Sequence, residues 1–269
     1  MKQKLGWIAA ALVLGGCTMA PKYERPAAPV SQKWPHAENT NEFSAAAVPW
    51  NAFFDDEQLK KLISLSLANN RDLRVAALRV EQTRAQYRIQ RSALFPSVDL
   101  SASGARQRTP IAVLGEAETR TTYDLSVGAA WELDLFGRVR SMKQEALEEF
   151  FASAANREAV QIALVSEVAS QYLTILQLQE AKALAEQTLQ AVQTSFNLNE
   201  RSFQAGVASE LDLRTAEAQV QTAQVNVSTF NQLLAQAENA LALLIGQPIP
   251  ENLPQGRPLH EQRLLDDMP

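Results

Sequence analysis

The sequence predicts a mainly α-helical chain that is dominated by long coiled-coil helices and contributes two transmembrane β-strands. Three observations support this fold class. Residues 138–204 contain neither glycine nor proline and would form one helix of about 67 residues, about 100 Å long. Two apolar heptad stripes then continue through 213–244, the signature of a coiled coil. Apolar and polar residues alternate over 123–135, which is the period of a β-strand.

Composition argues against several classes of function. The chain has 269 residues, a net charge of −5, one cysteine, and two histidines that lie far apart at His36 and His260. An acidic chain lacks the basic surface that nucleic acid requires. A single cysteine forms neither an internal disulfide nor a zinc site. No pair of acidic residues lies in a recognisable catalytic motif, so we expect no enzyme activity, no metal and no cofactor.

Residues 1–16 are predicted to be a bacterial export signal. Lys2 and Lys4 precede an apolar run that is too short for an ordinary transmembrane helix. A leucine, two glycines and Cys17 follow, which is the pattern of a lipoprotein signal and predicts a covalent lipid such as palmitate on Cys17. By resemblance to bacterial lipoproteins, Thr18 after this cysteine indicates the outer membrane. The alternative is an ordinary signal followed by an incidental cysteine.

The segment after the signal is predicted to be extended and lipid-anchored over 17–54, because five prolines interrupt it. Asp55 and Asp56 can cap a helix, which we predict over 56–68. Apolar residues that recur every seven positions predict a second helix over 70–94. Pro96 ends that helix, because the residue before a proline, here Phe95, avoids the helical conformation.

Two strands are predicted next, over 97–108 and 120–135, with a loop near 109–119. The second strand carries bulky apolar residues on one face and small or acidic residues on the other. The apolar face comprises Tyr123, Leu125, Val127, Ala129, Trp131, Leu133 and Leu135. Two kinds of structure give this pattern. One is a soluble sheet with one buried face, and the other is a membrane barrel with lipid outside and water inside. Two strands alone cannot close a barrel, so a membrane location requires further strands from other chains or another segment.

Two long helices, predicted over 138–204 and 209–245, are joined by a short turn. Gly206 can supply the left-handed residue that ends the first helix. Ser209 can cap the second, and Asp212 three positions on completes a capping box. The turn also carries small apolar side chains at an exposed end. It is therefore either a plain helical hairpin or a docking surface.

Four stretches resemble one known family, the TolC-like outer-membrane factors of tripartite multidrug efflux pumps, in particular the lipid-anchored OprM-like branch that serves RND pumps. The stretches are Asn69-Asn70-Arg71-Asp72-Leu73, Tyr87-Arg88-Ile89-Gln90-Arg91 with Phe95-Pro96, Trp131-Glu132-Leu133-Asp134-Leu135-Phe136-Gly137-Arg138, and Ala205-Gly206-Val207-Ala208-Ser209 with Leu211-Asp212-Leu213. They occur in order, and the resemblance extends from Cys17 to the end of the chain.

The resemblance implies a homotrimer with a β-barrel in the outer membrane and an α-helical barrel in the periplasm. Residues 55–246 would be the first of two similar repeats, and 247–269 a linker toward the second. The barrel interior would be lined by Asp124, Ser126 and Glu132. The tip that docks a periplasmic adaptor would comprise Ala205, Gly206, Val207, Ala208, Ser209, Leu211 and Asp212.

The function implied is a passive duct that carries drugs or other small molecules from the adaptor and the RND inner-membrane pump to the outside. The chain lacks the second repeat, so we expect a truncated or fragmentary protomer, or six copies in place of three. The alternatives are a periplasmic coiled-coil lipoprotein scaffold or adaptor without a channel, and a non-functional fragment. The exported substrates, the cognate adaptor and the acylation of Cys17 are left open.

Overall fold

A computed structural model describes residue 21, residues 23–27, residue 29, and residues 48–110 and 117–262. The predicted signal at 1–16 and the predicted lipidation site Cys17 lie outside the described residues, as does the last part of the predicted linker. The chain divides into two compact units. The strand unit comprises Met1–Ala28 and Leu78–Ala155, and the helical unit comprises Pro29–Ala77 and Asn156–Pro269.

The helices of the described residues are α1 Trp50–Phe53, α2 Glu57–Asn69, α3 Arg71–Ser92, α4 Arg138–Gln204 and α5 Glu210–Ile245, the strands are β1 Ser97–Pro110 and β2 Ala117–Ala130, and a 3₁₀ turn spans Leu259–Glu261. The ends of α2 to α5 differ from the predicted bounds by at most two residues. The fold is mainly helical with a small antiparallel sheet, as the sequence predicts.

The core of the helical unit lies where α2, α4 and α5 meet. Helix α2 is amphipathic, and Leu59, Leu62 and Ile63 occupy one face of it with at most 2% exposure, as residues at spacings of three and four do. They pack with the middle of α4 around Val168 and with the end of α5 around Leu241. All ten residues of the two heptad stripes in α5 are buried or half-buried, so the heptad pattern identifies the packed face.

The junction between α2 and α3 is fastened to the end of α5. Asn70 caps α3, since its side-chain oxygen accepts a hydrogen bond from the Leu73 amide at 2.9 Å. Its amide nitrogen and the Ser66 hydroxyl both donate to the Leu244 carbonyl, at 2.9 Å and 2.8 Å. Gly246 then ends α5 with a φ of 80° and lies directly against the Asn69 carbonyl. These polar contacts satisfy carbonyls that a helix end otherwise leaves unpaired.

In the strand unit, β1 and β2 form one antiparallel ladder of 14 residue pairs, from Ser97 opposite Ala130 to Pro110 opposite Ala117. The loop predicted over 109–119 is therefore too long, because both of its ends continue the ladder. The strand predicted over 120–135 is wrong at its far end, since β2 stops at Ala130. Its partner strand begins just after Pro96, so the residues beyond Ala130 have no backbone opposite them to pair with.

The predicted extended segment 17–54 is also wrong at its end. Trp50–Phe53 form one helical turn that begins after Pro49 and closes with the Phe54 amide bonded to the Trp50 carbonyl at 3.1 Å. Trp50 and Phe54 are half-buried and pack against the core of the helical unit. Burial of these aromatic side chains explains why a proline-rich approach ends in a helical turn.

Candidate functional site: a two-faced strand pair and a helical hairpin tip

The register of the strand pair gives it one apolar face and one polar face. Residues opposite each other in an antiparallel ladder project to the same side. Leu100 lies opposite Val127, and Ala102 opposite Leu125, so apolar residues meet apolar ones. On the other side Ser101 lies opposite Ser126, and Ser103 opposite Asp124. The alternation in β2 is therefore matched, residue for residue, by the alternation in β1.

The apolar face is uncovered within the described residues. Tyr123, Leu125 and Val127 are 83%, 75% and 72% exposed, and Val98 and Leu100 on β1 are similarly open. A soluble sheet buries such a face against a second layer. The apolar residues occupy alternate positions over a stretch of about seven residues on each strand, which is about 23 Å along the strand. At the tilt of about 35–45° that barrel strands have, this stretch covers about 16–19 Å of a lipid-facing band about 25 Å tall.

An aromatic ring marks the outer edge of the apolar face. Tyr123 lies opposite Gly104, and a Cβ placed on Gly104 would lie 3.3 Å from the tyrosine ring. The ring therefore covers the glycine on the neighbouring strand, a known device for supporting a glycine within a sheet. Beyond this pair the same face changes to Arg106 and Thr121, so polar side chains bound the apolar band on that side.

The other edge of the strand pair is a turn that leads into α4. The Trp131 indole nitrogen donates to the Leu94 carbonyl at 3.3 Å, which ties the end of β2 to the chain before β1. Asp134 caps α4, because its carboxylate accepts the amides of Val139 and Arg140 at 3.2 Å and 2.9 Å. Partial desolvation raises the pKa of Asp134, but these hydrogen bonds outweigh it and hold the pKa below its usual value.

Glu132, predicted to face the lumen, lies in this turn and not in a strand. Its carboxylate forms an ion pair with the guanidinium of Arg138. The alternation of faces that led to its assignment ends at Ala130, so strand geometry supports the lumen assignment only for Asp124 and Ser126. The helix-capping role of Asp134 was missed by sequence reasoning, although an aspartate shortly before a helix is a recognisable signal.

The tip between α4 and α5 closes with the hydrogen bonds of a Schellman motif. The Val207 amide donates to the Ser202 carbonyl and the Gly206 amide to the Phe203 carbonyl, each at 2.9 Å. Gly206 has a φ of 76°, which is left-handed and favours glycine. The left-handed end predicted for the first long helix is therefore confirmed.

The capping box that begins α5 is also confirmed. The Asp212 amide donates to the Ser209 hydroxyl oxygen at 3.2 Å, and the Ser209 amide donates to the Asp212 carboxylate at 3.1 Å. The Ser209 hydroxyl also donates to that carboxylate, and this bond together with the amide lowers the pKa of Asp212. The turn is consequently well defined at both ends, and its apolar side chains are presented from a fixed backbone.

The apolar side chains of the tip project into solvent. Val207 and Leu211 are 83% and 75% exposed. Of the other predicted tip residues, Ala208 is half-buried, and the rest are exposed, namely Ala205, Gly206, Ser209 and Asp212. Within the residues that the structure describes, no group of three or more His, Cys, Asp or Glu side chains could hold a metal ion. The tip and the strand pair are thus surfaces suited to contact, and each lies in its own unit.

Comparison with solved structures defines the class of protein. The fold is that of outer membrane channels: the open-state MtrE channel of Neisseria gonorrhoeae superposes with a TM-score of 0.76 at 36% identity, covering 94% of this chain and 56% of that one. A membrane protein from Pseudomonas aeruginosa superposes with a TM-score of 0.74 at 37% identity, over 94% of this chain and 57% of that one.

The sequence identifies the family within that class. This chain belongs to the outer membrane efflux protein family, whose model matches residues 62–247. It is 42% identical over 273 residues to the toluene efflux pump outer membrane protein TtgC of Pseudomonas putida, covering 98% of this chain and 56% of that protein. It is 39% identical over 267 residues to the outer membrane protein OprJ of Pseudomonas aeruginosa, covering 96% and 55%. The chain spans about half the length of these curated relatives.

Proposed function

We propose that this chain forms part of the wall of a passive outer-membrane duct in a tripartite efflux pump. It takes up no catalytic role: small molecules pass from an inner-membrane RND pump and a periplasmic adaptor through a lumen to the outside. One relative is an outer membrane protein of a toluene efflux pump, another is an outer membrane protein, and a solved structure with the same fold is an outer membrane channel.

The uncovered apolar face of the strand pair carries the proposal. Five bulky apolar side chains on this face are at least 70% exposed, and each contributes about 25 cal/mol per Å² of apolar surface when it leaves water. Lipid supplies that environment on one side of a barrel strand, while the side with Asp124 and Ser126 faces water. Further strands must pair with the free edges of β1 and β2, since unpaired backbone groups are costly in lipid.

The strands, and not the long helix, are assigned to the membrane. Helix α4 contains an 18-residue window with a mean hydropathy of 1.4 and is long enough to cross a bilayer by composition alone. However, its apolar residues Leu164, Val168 and Ile175 are buried in the core of the helical unit. A core helix meets the same compositional test, but only 28% of the window is buried among the described residues. Packing within the chain therefore explains part of the hydropathy of α4, and we assign the remaining apolar surface to contacts with neighbouring helices of the proposed duct.

We propose that the hairpin tip binds the adaptor. We also propose that Cys17 carries a lipid, which anchors the chain in the outer membrane. A rigid turn with exposed Val207 and Leu211 offers apolar contact area without the cost of ordering a loop on binding. A solved structure with this fold is an outer membrane channel, and we propose a homotrimer or an equivalent ring around a common lumen. A duct of this kind accounts for the long helices as the periplasmic portion.

The proposal is tested by the reactivity of single cysteines on the two strand faces. Leu125→Cys and Ser126→Cys are adjacent and comparably exposed in the free chain, so they form a matched pair. In native outer membranes we expect a small water-soluble maleimide to label Ser126→Cys at least ten times faster than Leu125→Cys, because only the lumen side contacts water. Equal labelling of both positions, before and after detergent, would contradict the membrane assignment.

A periplasmic coiled-coil scaffold without a channel is the second candidate, and the exposed helical tip alone would suit it equally well. In such a protein the uncovered apolar strand face would remain in water, which is unfavourable. Reconstitution into planar bilayers separates the two candidates, since only a duct gives discrete conductance steps. Protein that inserts but stays silent in this assay favours the scaffold.

A further inference from the structure

Asp56 is a buried carboxylate at which three separate parts of the helical unit meet. Asp56 is 1% exposed. One oxygen, Oδ1, accepts the amides of Gln58 and Leu59 at 2.8 Å and 3.2 Å and so caps α2. This local role was predicted from the sequence. The other oxygen, Oδ2, points away from α2 and has no part in capping.

The second oxygen binds residues that are far away in sequence. Oδ2 accepts the hydroxyl of Tyr172 on α4 at 2.9 Å. It also accepts the backbone amide of Arg257 at 3.0 Å and the side-chain amide of Gln262 at 2.7 Å. These two residues belong to the segment after α5, residues 247–262, which we call the strap. Five donors thus converge on one carboxylate, and three of them come from more than 100 residues away.

Close packing around the carboxylate leaves no room for a side chain at Gly256 of the strap. A Cβ on Gly256 would overlap the Tyr172 hydroxyl and the side-chain amide of Gln58. The Tyr172 hydroxyl has one proton, which it donates to Asp56, so the amide of Gln58 fits best with its nitrogen turned toward that hydroxyl. Beside this cluster, the Arg257 guanidinium forms an ion pair with Asp55.

The electrostatics show that the carboxylate is ionised at neutral pH. Burial raises the pKa of Asp56, but the hydrogen bonds from Gln262, Arg257, Tyr172 and Leu59 outweigh it and hold the pKa below its ordinary value. For Tyr172, burial and the hydrogen bond to Asp56 both raise the pKa of the phenol, so it remains a donor. The titratable groups next to Asp56 in the sequence are Asp55 and Glu57, and those in the strap are Glu251, Arg257, His260 and Glu261.

We propose that Asp56 is a positioning residue that fastens the strap across the start of α2 and the middle of α4. The strap has little secondary structure of its own, only the turn Leu259–Glu261. Its half-buried Ile249 and Leu253 pack against the core, and Asp56 holds the part that follows them. The Asp56 carboxylate thereby fixes the point on the helical unit from which the chain continues beyond Gln262. This inference concerns the helical unit alone and does not depend on the proposed duct.

Hydrogen exchange of the full chain in detergent at pH 7 tests the proposal, with Asp56→Asn as the main variant. Asparagine is as good a helix cap as aspartate, but it cannot accept all five donors while its amide nitrogen occupies one oxygen position. We expect amide exchange in 256–262 to become at least tenfold faster, while the middle of α4 stays protected. Asp72→Asn, an exposed acidic residue in the first turn of α3, is the matched control and should leave the strap unchanged.

A second variant keeps the test decisive if Asp56→Asn fails to fold. Gln262→Ala removes one donor to Oδ2 and leaves both the cap and the charge intact, and it should accelerate exchange in 256–262 about threefold or more. The proposal is overturned if a folded Asp56→Asn, or failing that Gln262→Ala, exchanges in the strap at the wild-type rate. It is also overturned if the wild-type strap exchanges as fast as an unstructured peptide.

Discussion

A single methyl group at Gly246 is expected to break the junction that fastens α5 to α2 and α3. With a φ of 80°, Gly246 is in the left-handed region, and an added Cβ would lie 2.5 Å from the Asn69 carbonyl oxygen and 2.9 Å from its carbon. Both atoms belong to the backbone and cannot swing aside as a flexible side chain would. Gly246→Ala must therefore displace either the end of α5 or the turn between α2 and α3.

The magnitude follows from two separable costs. A left-handed alanine costs about 1–2 kcal/mol, and overpacking a tight site costs about 1–3 kcal/mol more. We therefore expect Gly246→Ala to lower the free energy of unfolding by about 2–5 kcal/mol. Gly206→Ala is the matched control, because its φ is 76° but nothing lies within 4 Å of the added Cβ. It should lose only the first cost, about 1–2 kcal/mol.

Urea unfolding of the detergent-solubilised chain, followed by circular dichroism at the helical band, measures both values. The two variants must differ by at least about 1 kcal/mol, the lower bound of the overpacking cost. If Gly246→Ala and Gly206→Ala lose equal stability, the close approach to Asn69 is not part of the folded protein. In that case the argument for the junction fails, whereas the left-handed conformations themselves would still stand.

Four further predictions follow from the caps, the buried carboxylate and the proposed contacts. Ser209→Ala removes the capping box and should lower the free energy of unfolding by about 1 kcal/mol, measured by the same urea titration; no change would show that the cap is energetically silent. The folded-state pKa of Asp56 lies below its ordinary value of 3.8. Its contribution to stability is therefore complete above that pH and is lost as the pH falls through the folded pKa. In Asp56→Asn the free energy of unfolding should fall less steeply below about pH 4 than in the wild type, and an unaltered acid profile would refute this. Cys17→Ala should abolish incorporation of labelled palmitate, and labelling that persists in this variant would contradict a lipid on Cys17. Leu211→Asp should weaken cross-linking to a periplasmic adaptor, whereas Val225→Asp, at a similarly exposed site on α5, should not; equal effects would argue against docking at the tip.

The features that the sequence predicts well are those decided by neighbouring residues. Helical periodicity, the left-handed Gly206 and the Ser209–Asp212 capping box each depend on residues within a few positions of one another. Their hydrogen bonds form inside one turn of chain, so the pattern and the structure coincide. The same holds for the alternation in β2 from Tyr123 to Ala129, which the structure retains as two faces.

The features that the sequence does not predict well depend on a partner elsewhere in the chain. Alternation continues past Ala130, yet β2 stops there, because β1 begins at Ser97 and offers nothing further to pair with. Glu132 was assigned to the lumen on the same alternation, but its nearest charge is Arg138. No local pattern distinguishes an acidic residue on a strand from one in the turn that follows it.

The Asp56 side chain makes both kinds of contact: some that the sequence predicts and some that only the tertiary structure provides. The sequence by itself determined that this aspartate caps α2, because the two amides that it accepts lie two and three residues away. Only the tertiary structure decided that its other oxygen binds Tyr172, Arg257 and Gln262, which are 116, 201 and 206 residues away. Such contacts arise when the packing of α2, α4 and α5 brings the strap within reach of the Asp56 carboxylate. A buried carboxylate without hydrogen-bond partners would be strongly unfavourable.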